Sequence, residues 1–359
     1  MPQGVFLLRS FCVHFQLGTW ENILNLGEIP LEYNEIITAR VTAVHRERYA
    51  LLCEKGECYG RLKTKEYYLD QATFPTAGDY VTIEYLQTGD SRIIATQPRK
   101  TVFTRRAPGP VPMEQAVAAN FDYVFILQSL NHDFNPKRLE RYLTLSWQSG
   151  ATPVILLTKA DLVEDYWGYL TQVERVAMGV NTHVVSAHTG YGLPRLNAYL
   201  QPGKTVVFLG SSGVGKSSLV NALAGEEIMA VSAIREDDSR GRHTTTHRQL
   251  ITLKSGVSII DTPGMRELGM WEVDEGITDA FRDVEQYLGK CRFSDCRHEN
   301  EPGCAIRAAI ASGELDGARW ESYRKLKEEA VDKDEMLRRK HEWSKGVAKF
   351  TRSRNKEVW

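Results

Sequence analysis

The residues with the clearest chemical meaning lie in the segment 210–218, GSSGVGKSS. Its spacing fits G-x-x-x-x-G-K-[ST], the pattern of a loop that binds nucleotide phosphates. Glycines let successive backbone N–H groups turn toward phosphate oxygens, and a helix beginning near Lys216 adds the positive end of its dipole. A glycine-rich turn without a nucleotide is the alternative. It is disfavoured because a strand-like stretch, TVVFL, precedes the loop and a helix-like stretch follows it.

Two side chains of this loop have predicted roles in chemistry. Lys216 is expected to reach the β- and γ-phosphates and to act as a catalytic residue, and the Ser217 hydroxyl is expected to bind Mg²⁺. The predicted phosphate contacts are Gly210, Ser211, Ser212, Gly213, Val214, Gly215, Lys216, Ser217 and Ser218.

Two later segments contain further groups suited to Mg²⁺ and a γ-phosphate. In DTPG (261–264), Asp261 is expected to hold Mg²⁺ through water, and Gly264 offers a backbone N–H to the γ-phosphate. In GRHTTTH (241–247), Thr245 is expected to close over Mg²⁺ when a triphosphate is present. A threonine run alone is more often a solvated loop, but its position between the phosphate loop and DTPG favours a switch segment.

Two earlier segments predict the base that the site selects. In TKAD (158–161), the Asp161 carboxylate can accept hydrogen bonds from the N1–H and N2–H₂ edge of guanine, which adenine lacks, and the Lys159 stem can lie along the base. In SAHTG (186–190), the Ala187 N–H can donate to guanine O6. Each short match could arise by chance, but both follow predicted buried strands, where α/β sheets bind ligands. The predicted base contacts are Thr158, Lys159, Ala160, Asp161, Ser186 and Ala187.

The order of these segments is reversed relative to an ordinary GTPase, in which the phosphate loop precedes the base-reading segments. We interpret the order as a circular permutation, which a fold tolerates because domain termini often lie close together. One consequence is that the segment after DTPG runs directly into the C-terminal region, so that nucleotide state could be transmitted there.

The residue that positions the attacking water is not obvious. Many GTPases have a glutamine immediately after the DxxG segment, but Met265 occupies this position. The nearest polar candidate is His243, because an imidazole can accept a proton or hold a water. The alternative is that His243 caps a loop or contacts RNA.

Three cysteines and a histidine lie close together in residues 291–304. Cys291, Cys296, His298 and Cys304 offer three thiolates and one imidazole, a set typical of closed, tetrahedral structural zinc sites. Buried thiols with an incidental histidine are the alternative. We expect one Zn²⁺ per chain and a reducing, cytoplasmic environment.

The elements that must position these residues form three regions. Short β-branched segments between 34 and 97 predict a small barrel, most simply an oligonucleotide-binding (OB) fold, and a β domain that only packs on its neighbour is the alternative. Cys53 and Cys58 are interpreted as strand residues there. Farther along, apolar strands alternate with helix-like segments and predict a parallel sheet covered on both faces. Beyond 276 the chain is helical and polar.

The predicted fold class is therefore multidomain, and its boundaries can be assigned from these patterns. They are 1–33, an N-terminal extension; 34–100, an OB-like β-barrel; 101–112, a Pro/Gly-rich linker; 113–275, a circularly permuted α/β P-loop GTPase domain; and 276–359, a helical zinc-binding domain with a basic tail.

The overall charge of the chain predicts neither nucleic-acid nor membrane binding. The chain of 359 residues is 42% hydrophobic and 25% charged, with a formal net charge of -1, although its tail at 338–356 is basic. It has no run long enough to span a bilayer, and Arg9 and His14 interrupt the apolar start and argue against a signal peptide. We expect a cytoplasmic monomer without a membrane partner.

The barrel, the permuted GTPase segments and the cysteine–histidine set together resemble one family, the ribosome-small-subunit-dependent GTPases of the RsgA/YjeQ type in bacteria. The resemblance extends over roughly 34–330 and rests on GSSGVGKS, GRHTTT, DTPG and Cys-x4-Cys-x-His-x5-Cys. It implies an enzyme that binds the small ribosomal subunit and its rRNA late in maturation and hydrolyses GTP to GDP with Mg²⁺. It also implies stimulation by the subunit and supports His243.

Two features depart from that family. Thr158 stands where many GTPases have asparagine, and we expect it to loosen the tie to the phosphate loop and weaken guanine affinity, while Asp161 keeps the selectivity. The resemblance assigns no role to the extension 1–33, and that role stays open. Two other functions stay open: an RNA-binding assembly scaffold in which the nucleotide is mainly structural, and a P-loop ATPase, which the chemistry of Asp161 opposes.

Overall fold

The structure is a computed structural model. It describes residues 35–45, 48–62, 74–106, 114–229, 249–261 and 274–330. None of the helices in these ranges combines the length and the apolar character that a membrane span requires.

Five strands form the N-terminal barrel. They are β1 (Ile36–Val44), β2 (Tyr49–Cys53), β3 (Gly56–Leu62), β4 (Tyr80–Glu84) and β5 (Ser91–Thr96). The order β1-β2-β3-β5-β4 closes because β4 also pairs with β1. Buried residues alternate along β1, and Val41, Leu51 and Ile83 lie in the barrel core. The predicted OB-like barrel is confirmed, and Cys53 and Cys58 lie on its strands as expected.

The stretch predicted as a linker is partly a hairpin. β6 (Val102–Arg106) pairs with β7 (Glu114–Ala119) in an antiparallel two-stranded sheet. Phe103 explains this pairing, because it is buried and stacks on Phe121 with ring centroids 4.8 Å apart. β6 was not predicted, because the proline and glycine residues at 107–110 that follow it are typical of a linker.

The central sheet contains five parallel strands in the order β10-β9-β8-β11-β13, followed by an antiparallel strand, β12, next to β13. The strands are β8 (Tyr123–Ser129), β9 (Thr152–Thr158), β10 (Thr182–Val184), β11 (Thr205–Leu209), β12 (Gln249–Thr252) and β13 (Ser258–Asp261). The parallel part was predicted, but β12 was not, because it is short and joins β13 through a tight turn at Gly256 (φ 81°). β12 also pairs with β1 of the barrel at Ala43 and Gln249.

Helices cover both faces of this sheet. They are α1 (Pro136–Gln148), α2 (Trp167–Val176) and α3 (Lys216–Ala224), with 3₁₀ turns at Ala160–Leu162 and Leu193–Ala198. Val124 and Ile126 of β8 share a buried cluster with α1, whereas Phe125 and Leu127 share another with α3. Successive residues of a strand point to opposite faces, so β8 reads as a continuous apolar run.

The C-terminal module is helical and packs on α1. Its helices are α4 (Asp274–Ala280), α5 (Arg282–Glu285), α6 (Ala305–Ser312) and α7, which is helical over 317–330. Ile277 and Phe281 join the buried cluster of Leu139 and Leu143. Gly276 permits the contact, because its N–H donates to Gln148 Oε1 at 2.9 Å and a Cβ there would collide with the backbone of α1.

A buried ion pair joins this module to α1. Arg319 Nη1 lies 2.7 Å from Glu140 Oε1, with side chains only 6% and 4% exposed. The same guanidinium pairs with Asp283 at 3.0 Å and lies 3.9 Å from the Phe281 ring centroid. Burial raises the pKa of Glu140, and Arg319 opposes that shift.

Arg319→Met is expected to lower the free energy of unfolding by about 3–5 kcal/mol, because it leaves Glu140 buried without its cation. The double change with Glu140→Leu should cost less than Arg319→Met alone. Arg324→Met, which breaks an exposed pair on the same helix, is the matched control. Denaturant unfolding measures all three, and equal losses for Arg319→Met and Arg324→Met would contradict the assigned role.

Candidate guanine-nucleotide and zinc sites

The phosphate loop connects β11 to α3 at the carboxyl edge of the sheet. Gly215 precedes the first helical residue, Lys216, with φ 101°, and Gly213 has φ 73°. Residues that carry a side chain rarely adopt these φ angles, so glycine is needed at both positions. A Cβ on Gly213 would point into open space, which leaves the loop accessible to a ligand. The loop and the start of α3 therefore fit a nucleotide phosphate, with Ser217 in the first helical turn.

The phosphate loop is tied to the end of β9 by Thr158. This side chain is 4% exposed, and its Oγ1 donates to Val214 O at 2.6 Å while lying 3.4 Å from Gln128 O. Thr158 therefore does tie the end of β9 to the phosphate loop, and the expected effect of threonine in place of asparagine on guanine affinity stays a prediction. The hydroxyl is short, but it reaches over the end of β8 because β9 and β11 flank that strand.

Thr158→Val is expected to lower the affinity for both GTP and GDP about 5- to 30-fold. Valine keeps the shape but leaves the Val214 carbonyl without its donor, which costs about 1–2 kcal/mol. Titration with a fluorescent guanine nucleotide measures the change. Thr158→Ser should stay near the parent, and Thr171→Val, which removes a hydroxyl on the exposed face of α2, is the control. An unchanged affinity in Thr158→Val would remove the tie from the account.

The two base-reading segments come together at the same edge. Ser186 is fully buried, and its hydroxyl donates to Asp161 Oδ1 at 2.5 Å. The backbone also joins them, because Ala160 N–H donates to Val185 O at 3.2 Å. Lys159 has φ 60°, a left-handed conformation that is uncommon outside glycine and frequent at functional sites. Asp161 itself stays exposed, as a ligand-binding carboxylate requires.

Several predicted residues lie outside the described residues. Asp261 ends β13, which pairs with β11, so its backbone lies beside the strand that leads into the phosphate loop. Its side chain, and all of His243, Thr245 and Gly264, lie outside the part of the chain that the structure describes. Their roles stay predictions.

The cysteine–histidine set converges on one point. The ligand atoms of Cys291, Cys296, His298 and Cys304 all lie within 4.8 Å of one another. His298 Nδ1 lies 3.4 Å, 3.6 Å and 3.4 Å from the three sulfurs. A tetrahedral zinc with bonds of about 2.3 Å to sulfur and 2.0 Å to nitrogen places these atoms about 3.5 Å apart. The donor set therefore fits a zinc ion.

The backbone around these ligands is organised by Glu301, a residue that the sequence did not single out. Its carboxylate accepts from the backbone N–H groups of Arg297, Glu299 and Asn300 at 2.9–3.0 Å. The bond from the Arg297 N–H is the main cause of a lowered pKa of Glu301. This turn holds His298 at φ 63°. Glu301 belongs to no recognisable spacing pattern, so the sequence could not predict this role.

Comparison with known proteins assigns the family. The sequence profile of the RsgA GTPase family matches residues 96–271. A relative from Listeria monocytogenes, named small ribosomal subunit biogenesis GTPase RsgA 1, is 49% identical over 291 residues, which cover 81% of this chain and 82% of the relative. One from Opitutus terrae, named small ribosomal subunit biogenesis GTPase RsgA, is 41% identical over 86% of this chain and 88% of its own. The crystal structure of YjeQ from Thermotoga maritima matches with a TM-score of 0.61 and 26% identity, over 83% of this chain and 99% of that one. The chain therefore belongs to the RsgA GTPase family and is a GTP-hydrolysing enzyme.

Proposed function

We propose that this protein binds the small ribosomal subunit and its rRNA, assists late maturation of the subunit, and hydrolyses GTP to GDP in response to it. The main support is the convergence of the phosphate loop with TKAD and SAHTG, through the Thr158 and Ser186 hydroxyls, on a permuted sheet. The relatives named for small-subunit biogenesis support the partner. Cytoplasmic location and a monomeric state stay predictions.

Different residues of the chain have separate roles in GTP binding and hydrolysis. Backbone N–H groups of the phosphate loop and the start of α3 orient the phosphates, and Lys216 offsets their charge. Asp161, held by Ser186, selects guanine. Ser217 and Thr245 would hold Mg²⁺, which when bound neutralises charge on the β- and γ-phosphates.

His243→Ala is expected to leave GTP and subunit binding largely intact and to lower the subunit-stimulated turnover on the order of 10²-fold, as for a lost acid–base group. The reason is that Met265 cannot orient a water, whereas His243 precedes the threonines expected to close over Mg²⁺ and an imidazole can accept a proton or hold a water. Steady-state hydrolysis with small subunits measures the effect. Turnover within about twofold of the parent would mean that groups other than His243 position the attacking water.

RNA contact is proposed for the barrel, for Arg105 and Arg106 of the predicted linker, and for the tail at 338–356. On the barrel, Arg48 lies 3.9 Å from the centroid of the exposed Tyr59 ring, which places a cation and an aromatic face together. Arg105 lies on β6. The tail lies outside the described residues, and a solvated charged helix is the alternative for it.

Co-sedimentation with purified subunits tests the partner. The protein should pellet with small subunits in the presence of a non-hydrolysable GTP analogue, less with GDP, and not with large subunits. Binding should weaken steeply with salt because it neutralises phosphates. Removal of residues 338–359 should reduce the salt slope. Equal pelleting with both subunits, or with neither, would overturn the proposed partner.

The alternative of an assembly scaffold predicts the same pelleting, but with no dependence on whether GTP or GDP is bound. An ATPase is opposed by the Asp161–Ser186 arrangement. Competition of unlabelled ATP against a fluorescent guanine nucleotide separates that case, because a guanine-selective site should ignore the ATP.

A further inference from the structure

The loop between β8 and α1, residues 130–135, contacts the phosphate loop through a carboxylate that no motif predicted. The Ser211 hydroxyl donates to Asp133 Oδ2. The same carboxylate oxygen pairs with Arg138 Nη2 at 3.0 Å, and the two side chains are 31% and 27% exposed. Asp133 therefore joins the first half of the phosphate loop to the first turn of α1.

This loop is held in place by its own hydrogen bonds, so the position of Asp133 does not depend on Ser211 alone. Asn131 Oδ1 accepts from Ser129 Oγ at 2.8 Å and from the Asp133 N–H at 3.0 Å. Asn135 caps α1, because its Oδ1 accepts from the Arg138 N–H at 3.1 Å.

We propose that Asp133 is a positioning residue of the GTPase site: it holds the Ser211 end of the phosphate loop, while Thr158 holds the Val214 end. This inference rests on the proposed binding of guanine nucleotide phosphates by that loop. A loop tied at both halves keeps its N–H groups aimed at the phosphates before the nucleotide arrives, which lowers the entropy lost on binding.

Arg138 offsets the negative charge that Asp133 brings close to the phosphate loop. Asp133 alone would bring a negative charge near the bound phosphates and repel them. Its ion pair with Arg138 offsets that charge. Arg138→Gln should therefore weaken GTP more than GDP, because GTP carries more negative charge, and the difference should shrink as salt is added.

A double-mutant cycle on nucleotide affinity tests the contact. Ser211→Ala in the parent should weaken fluorescent GDP and GTP-analogue binding about 10- to 150-fold, the range for a hydrogen bond to a charged group. In the Asp133→Ala background, Ser211→Ala should change the affinity less than about twofold, because the acceptor is already gone. An equal effect in both backgrounds would overturn the inference.

Two further measurements separate positioning from a general structural role. Ser211→Thr keeps the hydroxyl and should restore most of the affinity, and the unfolding midpoint of the free protein should fall only slightly in Ser211→Ala, because Asp133 is partly exposed and water can replace the lost donor. Steady-state hydrolysis should show the loss mainly in KM. Asp165→Ala, which removes an exposed carboxylate that caps the start of α2, is the matched control. A variant set in which affinity falls only together with the unfolding midpoint would also overturn the inference.

The outcomes distinguish this inference from the function on which it rests. A parent protein that binds no guanine nucleotide would contradict the proposed function itself. A parent that binds and hydrolyses GTP, with affinity unchanged in Ser211→Ala, would contradict only the role of Asp133.

Discussion

Asp161→Asn is expected to shift nucleotide preference from GTP toward XTP by about 10²–10⁴-fold in the ratio of affinities. The carboxylate is expected to accept two guanine hydrogen bonds, each worth about 1.5–3 kcal/mol as a bond to a charged group. Asparagine replaces one acceptor with an amide donor, which suits the C2 carbonyl of xanthine. The Ser186 hydroxyl, 2.5 Å from Asp161 Oδ1, helps to orient this carboxylate and can still donate to the amide oxygen of an asparagine.

Competition titrations of GTP and XTP against a fluorescent nucleotide measure this change. Asp165→Asn is the matched control, since that carboxylate is exposed four residues farther along and caps α2. Ser186→Ala should reduce the preference for GTP without creating one for XTP, because it frees the Asp161 carboxylate but keeps its charge. An unchanged ratio in Asp161→Asn would remove that residue from base recognition.

Loss of one zinc ligand is expected to be the most damaging change to the C-terminal module. Structural zinc contributes about 10–16 kcal/mol of apparent binding free energy in small zinc-dependent peptides, and four protein ligands leave no open position for catalysis. Cys296→Ser should therefore release the metal and loosen residues 291–304. Nucleotide binding should persist, because its predicted residues lie at the ends of β9 and β10 and in the β11–α3 loop.

Metal analysis of protein purified without chelator should find about one zinc per chain. Hydrogen exchange should then show faster exchange at 291–312 in Cys296→Ser. Cys58→Ser, which changes a thiol on the barrel, is the control and should retain both zinc and protection. A parent without metal, or a Cys296→Ser variant with zinc and unchanged thermal stability, would contradict the assignment.

The parts of the fold that the sequence predicts are those with local signals. The barrel follows from alternation and β-branched residues, and the phosphate loop from glycines whose φ angles other residues rarely adopt. The zinc ligands follow from spacing, since Cys291 and Cys304 lie only thirteen positions apart in the sequence. In each case the groups that must meet are close along the chain.

The parts that the sequence does not predict depend on contacts between distant positions. Arg319 and Glu140 are 179 residues apart, and no pattern marks either as a buried partner of the other. The bond from Ser211 to Asp133 spans 78 residues and likewise joins two ordinary polar loop positions. The contact of Thr158 also depends on distant positions. Its residue type suggested a looser tie to the phosphate loop, but the arrangement of β8, β9 and β11 brings its hydroxyl within hydrogen-bonding distance of Val214 O.

Multiple-turnover GTP hydrolysis, with and without purified small ribosomal subunits, tests the central claim most directly. We predict slow turnover by the protein alone, strong stimulation by small subunits, no stimulation by large subunits, and little hydrolysis of ATP under any condition. A GTP turnover that small subunits leave unchanged would contradict the account.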